Sequence, residues 1–363
     1  MKQHGFKKLH FALFLVWTSL FLFSPAASAA NKNDLLSKLP GAEIWQPYLD
    51  QSPVSPTEFL ESPWETLLSF LPSWESLRQT AKGYADVILF LLLNAVVSML
   101  IGESGNRALL DLVCAGGCGV LLWEKLVTLS EHLCTQIESW NRFLLGFLPV
   151  YASVFTLGGE PMAALAANGF FLTVLCMLAQ LLTAFVPPLL QCYLALSMAC
   201  CISSETGLGN CCKALGSLLQ KLLGWAGKLL AALLGLQRLS ALQLDRTALR
   251  AGQLLTGTIP IIGQTLSDAS EAVLASIQLL KSGLGLAALL VLAAEFIPLY
   301  LGMLLHLGLL SGCRVLCGLT DNHRCQELLD CFAEALRCMM AAVALFAGLA
   351  VIGTTLLFLA GGG

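Results

Sequence analysis

The sequence carries too little charge to cover the surface of a soluble protein of its length. Charged residues make up 12% of the 363 residues and hydrophobic residues 57%, whereas a soluble globular domain is about 25% charged. The mean hydropathy is +0.77. Lipid therefore has to be part of the solvent. The net charge of −3 gives no sign of a surface for nucleic acid.

Sequence motifs for catalysis are also missing. There is no H-E-x-x-H, no Walker A loop and no G-x-S-x-G elbow. The histidines outside the N-terminal region are far apart in sequence, so we predict no enzyme, no catalytic residue and no cofactor. His306 and Ser311 share one apolar segment, which leaves an intramembrane serine hydrolase as a minor alternative.

The chain has 14 cysteines but no C-x-x-C pair, and none lies in the polar stretch 30–83. An exported disulfide framework would place them in that stretch, and a zinc knuckle needs the close pair. We predict that most are small hydrophobic residues in helices and that the chain has no metal site. The place to look for a metal is the group Cys313, Cys317, Cys325, Cys331 and Cys338.

The N-terminus, residues 1–29, has the pattern of a signal peptide. Lysines precede an uncharged apolar run at 11–23, and Ala27-Ser28-Ala29 is a small-residue cleavage site. The alternative is an uncleaved first anchor. In either case we expect residues 30–83 to be exported.

The exported segment 30–83 is acidic and rich in proline and tryptophan. Such a stretch favours short amphipathic helices and turns over a domain with its own core. Apolar residues recur at helical spacing from Trp64 to Trp74. We predict that they lie at the outer membrane interface, where tryptophan is enriched.

Residues 84–363 are predicted to form an all-α, polytopic membrane domain with five or six crossings. The apolar segments are 84–101, 109–129, 143–157, 170–202, 284–312 and 339–359. The Pro187-Pro188 pair predicts a hairpin or a broken helix within 170–202. Glu124, Lys125 and Glu295 lie inside apolar segments, so each has to face protein, water or the interface.

A polar insert, 212–283, interrupts this domain. Lys213, Lys221 and Lys228 fall on one helical face. We predict a basic amphipathic helix at the cytoplasmic leaflet, with a cationic pore lining as the alternative. An odd number of crossings between the exported segment and this basic run satisfies the positive-inside rule.

Within the insert, a stretch punctuated by glycine and proline (256–268) runs into a helix. Ser267 or Asp268 is predicted to cap that helix, and Lys281-Ser282-Gly283 to end it. Irregular backbone at membrane depth survives only where it is buried in protein or lines water. The stretch is therefore predicted to line a conduit or dock a partner; the alternative is an ordinary surface loop and helix.

This stretch resembles the stage III sporulation protein AE family of endospore-forming bacteria. The resemblance lies in Arg250, in Ile259-Pro260-Ile261-Ile262-Gly263, in Asp268 five residues after the glycine, and in Leu279-Leu280-Lys281 before a glycine-containing apolar span. The motif residues of this resemblance span about 40 residues. The order of signal peptide, exported segment and membrane domain resembles the family over most of the chain. The many cysteines and the short exported region depart from the family pattern.

The resemblance implies a protein of the mother-cell membrane facing the forespore, within a multiprotein assembly (the "feeding tube") that joins the two cells. That assembly is needed for late forespore gene expression. The partners would be other stage III sporulation membrane proteins and lipid. The conduit or docking element would comprise Arg250, Ile259, Pro260, Gly263, Asp268, Glu271 and Lys281. The alternative function is a stand-alone secondary transporter that uses Glu124, Glu295 and Lys281.

Overall fold

All regular secondary structure in the described residues is helical. The computed structural model describes residues 46–47, 50–101, 107–157, 161–202, 209–228 and 264–360. The signal peptide and much of the polar insert lie outside these residues. The helices are α1 (Pro56–Glu61), α2 (Pro63–Ser69), α3 (Trp74–Gly83), α4 (Ala85–Ile101), α5 (Arg107–Leu157), α6 (Pro161–Ile202), α7 (209–228), α8 (Gln264–Leu319) and α9 (His323–Ala360).

The membrane character of the chain is confirmed. Five helical stretches of the described residues are long and apolar enough to cross a bilayer: Pro63–Leu100, Ala108–Phe147, Cys176–Cys201, Gly283–Leu319 and His323–Val351. The fold class is thus all-α and multi-spanning, as the sequence predicts.

Helix α5 shows why the bundle is built from very long helices. One side of it is buried at Leu122, Leu126, Leu133, Ile137 and Leu144, at the three- and four-residue spacing that keeps one stripe facing its neighbours. This stripe passes without a break through the charged stretch from Glu131 to Arg142. The prediction that 109–129 and 143–157 are separate apolar segments is therefore wrong, because packing continues where the hydropathy dips.

Helix α6 also runs on where the sequence predicts an interruption. Pro187 and Pro188 lie inside the continuous helix Pro161–Ile202, so the hairpin or broken helix is wrong. Val186 and Leu190 beside the prolines are buried in the core. Packing against neighbouring helices can hold a helix through a proline despite the lost backbone bond.

The start of α8 corrects two more boundaries. The helix begins at Gln264 and continues to Leu319, so neither Ser267 nor Asp268 caps it and Gly283 does not end it. A glycine inside a helix costs about 1 kcal/mol relative to alanine. Leu284 and Ala288 are buried just beyond it, and their packing outweighs that cost.

The long helices form one bundle. Helix α5 packs along α6, α8 packs along α9, and α9 also contacts α5 and α6, while α4 packs on α5. Of the short helices before α4, α1 and α3 contact α8. The Ser55 and Ser73 hydroxyls cap α1 and α3 by accepting hydrogen bonds from backbone N–H groups.

Parts of α5, α6 and α9 come together at one end of this bundle. Arg324, at the start of α9, donates to the Cys201 carbonyl at the end of α6 over 3.2 Å. Cys325 lies beside Cys114 near the start of α5. The start of α5, the end of α6 and the α8–α9 turn therefore lie at the same end of the bundle.

A topology prediction follows. If α4 enters the membrane from the exported side, reporter fusions after Gly83 should be active outside and fusions after Asn322 inside. An alkaline phosphatase and a fluorescent-protein fusion at each site measure this. Both positions scoring on one side would contradict the arrangement.

Two adjacent glycines in α5 offer a matched test of α4–α5 packing. A Cβ added at Gly117 would clash with the Phe90 ring, whereas one added at Gly116 meets nothing within 4 Å. Gly117→Ala should destabilise the protein by about 1–3 kcal/mol. Gly116→Ala should leave it unchanged or slightly more stable, because alanine is the better helix former.

Thermal unfolding of the purified protein in detergent measures both variants. Phe90→Ala combined with Gly117→Ala removes the obstructing ring and should recover part of the loss. Equal unfolding temperatures for the two single glycine variants would contradict the close approach of α4 to α5.

Candidate functional site

Glu295 joins two helices through one carboxylate oxygen. Its Oε2 accepts a hydrogen bond from Gln136 Nε2 at 2.5 Å and another from Trp140 Nε1 at 2.6 Å. Gln136 and Trp140 are four residues apart on α5 and so share one face of that helix. An acidic side chain within an apolar span thereby obtains the polar partners it requires.

The aromatic packing around Trp140 fixes this contact in place. The Trp140 ring is 2% exposed and stacks on Phe346 of α9, with centroids 6.2 Å apart and planes at 17°. The Phe296 ring of α8 also packs against Trp140, with ring centroids 6.3 Å apart and ring planes at 51°. Trp140 thus ties α5, α8 and α9 together, since its indole N–H is held by Glu295 while its rings are buried. We call Glu295, Gln136 and Trp140 the carboxylate clamp.

The other predicted intramembrane charges lie away from this clamp. Glu124 is exposed on α5 and Lys125 is half-buried. Glu124 precedes Gln136 by a helix rise of about 18 Å. On α8, Lys281 precedes Glu295 by a helix rise of about 21 Å. Glu124, Glu295 and Lys281 therefore do not converge on one ion or substrate site.

The three predicted lysines lie on the outer face of α7. Lys213, Lys221 and Lys228 are all exposed. The inner face of α7 is buried and runs along α6 and α9. Ser197 Oγ of α6 lies 3.3 Å from Cys212 Sγ of α7. Gln220 Nε2 of α7 donates a hydrogen bond to Glu334 Oε1 of α9. The helix is thus packed into the bundle. Its role as a cationic face stays a prediction.

The predicted conduit or docking element lies largely outside the described residues. Arg250, Ile259, Pro260 and Gly263 are outside them. Asp268, Glu271 and Lys281 lie in the described backbone of α8, but their side chains are outside. The element stays a prediction apart from the corrected helix start.

His306 and Ser311 have separate partners. The Tyr84 hydroxyl and His306 Nδ1 share a hydrogen bond of 2.9 Å between the beginning of α4 and α8. The Ser311 hydroxyl donates to the Leu307 carbonyl of its own helix at 2.8 Å. The structure therefore does not bring a histidine base to this serine, as a hydrolase would require.

A shallow depression on the bundle surface is apolar. It measures about 410 Å³ and is lined by Val120, Trp123, Ala195 and Met198. Small-molecule sites combine apolar walls with a few convergent polar groups, and these four residues present no charged side chain. The depression therefore lacks the polar groups of a small-molecule site.

Sequence reasoning missed Gln136 and Trp140 as partners of Glu295, and Tyr84 as the partner of His306. A glutamine and a tryptophan four residues apart within a long apolar helix were the available signal. Both carry N–H donors that need an acceptor when buried, and Glu295 is the acceptor that the apolar segments supply.

Truncating the clamp gives a stability prediction. Glu295→Ala leaves two donors without their acceptor and should destabilise the protein by about 1–3 kcal/mol. Glu295→Gln keeps an oxygen acceptor and should cost much less. Glu138→Ala, at an exposed position of α5, is the control.

Thermal unfolding in detergent compares the three variants. The clamp predicts that the glutamine variant unfolds close to the wild-type temperature and the alanine variant well below it. Equal losses from Glu295→Gln and Glu295→Ala would show that the charge, and not the hydrogen-bond acceptor, is what matters.

Comparison with known proteins gives the chain its family. The model of the stage III sporulation protein AE family matches residues 85–361, which run from the start of α4 to just past the end of α9. No curated protein and no solved structure matches the chain. Since the match covers well over half of the sequence, the chain belongs to the stage III sporulation protein AE family.

Proposed function

We propose that this protein is a non-enzymatic component of a sporulation-specific transenvelope complex that links mother cell and forespore. It would reside in the mother-cell membrane facing the forespore, with its N-terminal segment exported. Late forespore gene expression would depend on that complex. The observation that carries the proposal is the family match over residues 85–361, together with five helical stretches able to cross a membrane.

The polar contacts of the bundle support a structural role. The carboxylate clamp joins α5 to α8, the Tyr84–His306 pair joins α4 to α8, and Gln220 with Glu334 joins α7 to α9. Each of these polar side chains is used between helices. Such contacts stabilise a scaffold, which is what a subunit of a larger assembly needs.

The exported helices support a partner-binding or membrane-surface role for that segment. Trp64 and Trp74 are 72% and 78% exposed, and Leu68 and Leu71 are also open. Exposed aromatic and aliphatic residues on short helices are typical of membrane interfaces and of protein contacts. The segment would meet other stage III sporulation proteins in the intermembrane space.

The alternative function, a stand-alone secondary transporter, gains no support from the described helices. Its three proposed groups, Glu124, Glu295 and Lys281, are spread along the helices, and Glu295 Oε2 already accepts two hydrogen bonds. A transporter site near the membrane midplane would gather such groups around one ligand.

The proposed conduit or docking element can be tested in sporulating cells. Asp268→Ala and Pro260→Ala should lower the yield of heat-resistant spores about tenfold or more, because each removes a side chain of the proposed conduit or docking element. Protein abundance should stay normal. The assay is complementation of an endospore former that lacks its own copy.

Ser270→Ala, a small polar change in the same helix, is the matched control and should sporulate normally. Normal spore yield from both Asp268→Ala and Pro260→Ala would contradict a role for this element. Immunoblotting of membranes separates a functional defect from loss of the protein.

A further inference from the structure

Four buried cysteines from three helices meet at the turn between α8 and α9. Cys114 and Cys118 lie one turn apart on α5, Cys317 lies near the end of α8, and Cys325 lies in the first turn of α9. Each is at most 1% exposed. Distant parts of the sequence thus bring four thiols to one interior position.

Three of the sulfur atoms are close enough to share an ion, and the fourth lies beside one of them. The Sγ atoms of Cys114, Cys118 and Cys325 all lie within 4.8 Å of one another, and Cys317 Sγ lies 3.2 Å from Cys325 Sγ. Four thiolates around zinc at about 2.3 Å stand about 3.8 Å apart in tetrahedral geometry. The three clustered sulfurs and the Cys317–Cys325 pair bracket that spacing.

The α8–α9 turn is shaped to present two of these sulfurs. Asp321 has a φ of 59°, in the left-handed region that a tight connection requires. The Asn322 backbone N–H donates to the Cys317 carbonyl at 3.1 Å, and Asn322 Oδ1 accepts from the Cys325 N–H at 3.0 Å. The turn therefore holds Cys317 and Cys325 at a fixed separation.

A second observation at this turn points to a ligand. Asn322 is 1% exposed, and its Nδ2 is buried without a hydrogen-bond partner among the described residues. A buried amide donor without an acceptor is costly. Metal-bound thiolates are good hydrogen-bond acceptors for neighbouring N–H donors, whereas neutral thiols are weak acceptors.

We propose that Cys114, Cys118, Cys317 and Cys325 form a structural thiolate site for a zinc ion. Binding converts four thiols to thiolates, releases four protons and leaves the metal in the same oxidation state. The closed, fully buried ligand set suits a structural site better than a catalytic one, which keeps a position open. The ion would lock the beginning of α5 to the α8–α9 turn.

The surroundings distinguish this site from the chain's other cysteines. Cys331, which the sequence groups with Cys317 and Cys325, lies in the first half of α9 away from the three clustered sulfurs. Cys134, farther along α5, and Cys338, farther along α9, belong to no such cluster among the described residues. These two serve as matched controls, one on each ligand-bearing helix.

Metal analysis of the full chain tests the proposal. The protein is purified in detergent without chelators or a metal-affinity tag, and zinc is measured by mass spectrometry against protein concentration. We expect one zinc per wild-type chain, the same for Cys134→Ser and Cys338→Ser, and a loss of most of the zinc for Cys118→Ser and Cys325→Ser.

Cobalt substitution of the wild-type protein gives a readout that needs no variant to fold. Co²⁺ in a tetrahedral thiolate site should give intense sulfur-to-metal charge-transfer absorption that added zinc abolishes. Wild type without zinc and without this absorption would overturn the proposal. So would retention of full zinc by both Cys118→Ser and Cys325→Ser.

Peptide mapping after alkylation of the denatured protein supplies a further outcome. Suppose that protein isolated under conditions as reducing as the cytoplasm contains a disulfide between Cys317 and Cys325, or between Cys114 and Cys118. That result would also overturn the proposal. All four residues should instead alkylate as free thiols once the metal is chelated.

Discussion

The architecture depends on one constraint: a polar side chain within an apolar bundle has to find its partner on a neighbouring helix. Glu295 meets this constraint through Gln136 and Trp140. Because Trp140 also packs between Phe296 and Phe346, the same contact sets how α5, α8 and α9 approach one another. Among the charges that look expensive in the sequence, Glu295 is the one shown to join neighbouring helices in the described residues.

Composition and periodicity were sufficient for the fold class. The scarcity of charge predicts lipid as solvent, and the apolar segments predict the helices, as the five possible spans confirm. Their boundaries were less predictable. The charges from Glu131 to Arg142, the Pro187-Pro188 pair and Gly283 all suggest breaks, yet the helices continue through them. Local propensity was overridden by packing that involves residues far away in the sequence.

The site was harder to predict than the fold for the same reason. Glu295 stands out as a charge in an apolar run, but Gln136 lies 159 positions earlier in the chain and only the packed bundle reveals the pairing. The cysteines illustrate the same point, because no sequence spacing relates Cys114 to Cys325. The conduit or docking element from Arg250 to Lys281 remains a prediction drawn from the family resemblance.

Membership of the stage III sporulation protein AE family and a bundle held by helix-to-helix polar contacts together favour a subunit over an enzyme or a lone transporter. Affinity purification of the tagged chain from sporulating cells, after mild crosslinking, tests this most directly. The account predicts that other sporulation membrane proteins are recovered with it at stoichiometric levels. Recovery of the chain alone, as a monomer or homodimer, would contradict it.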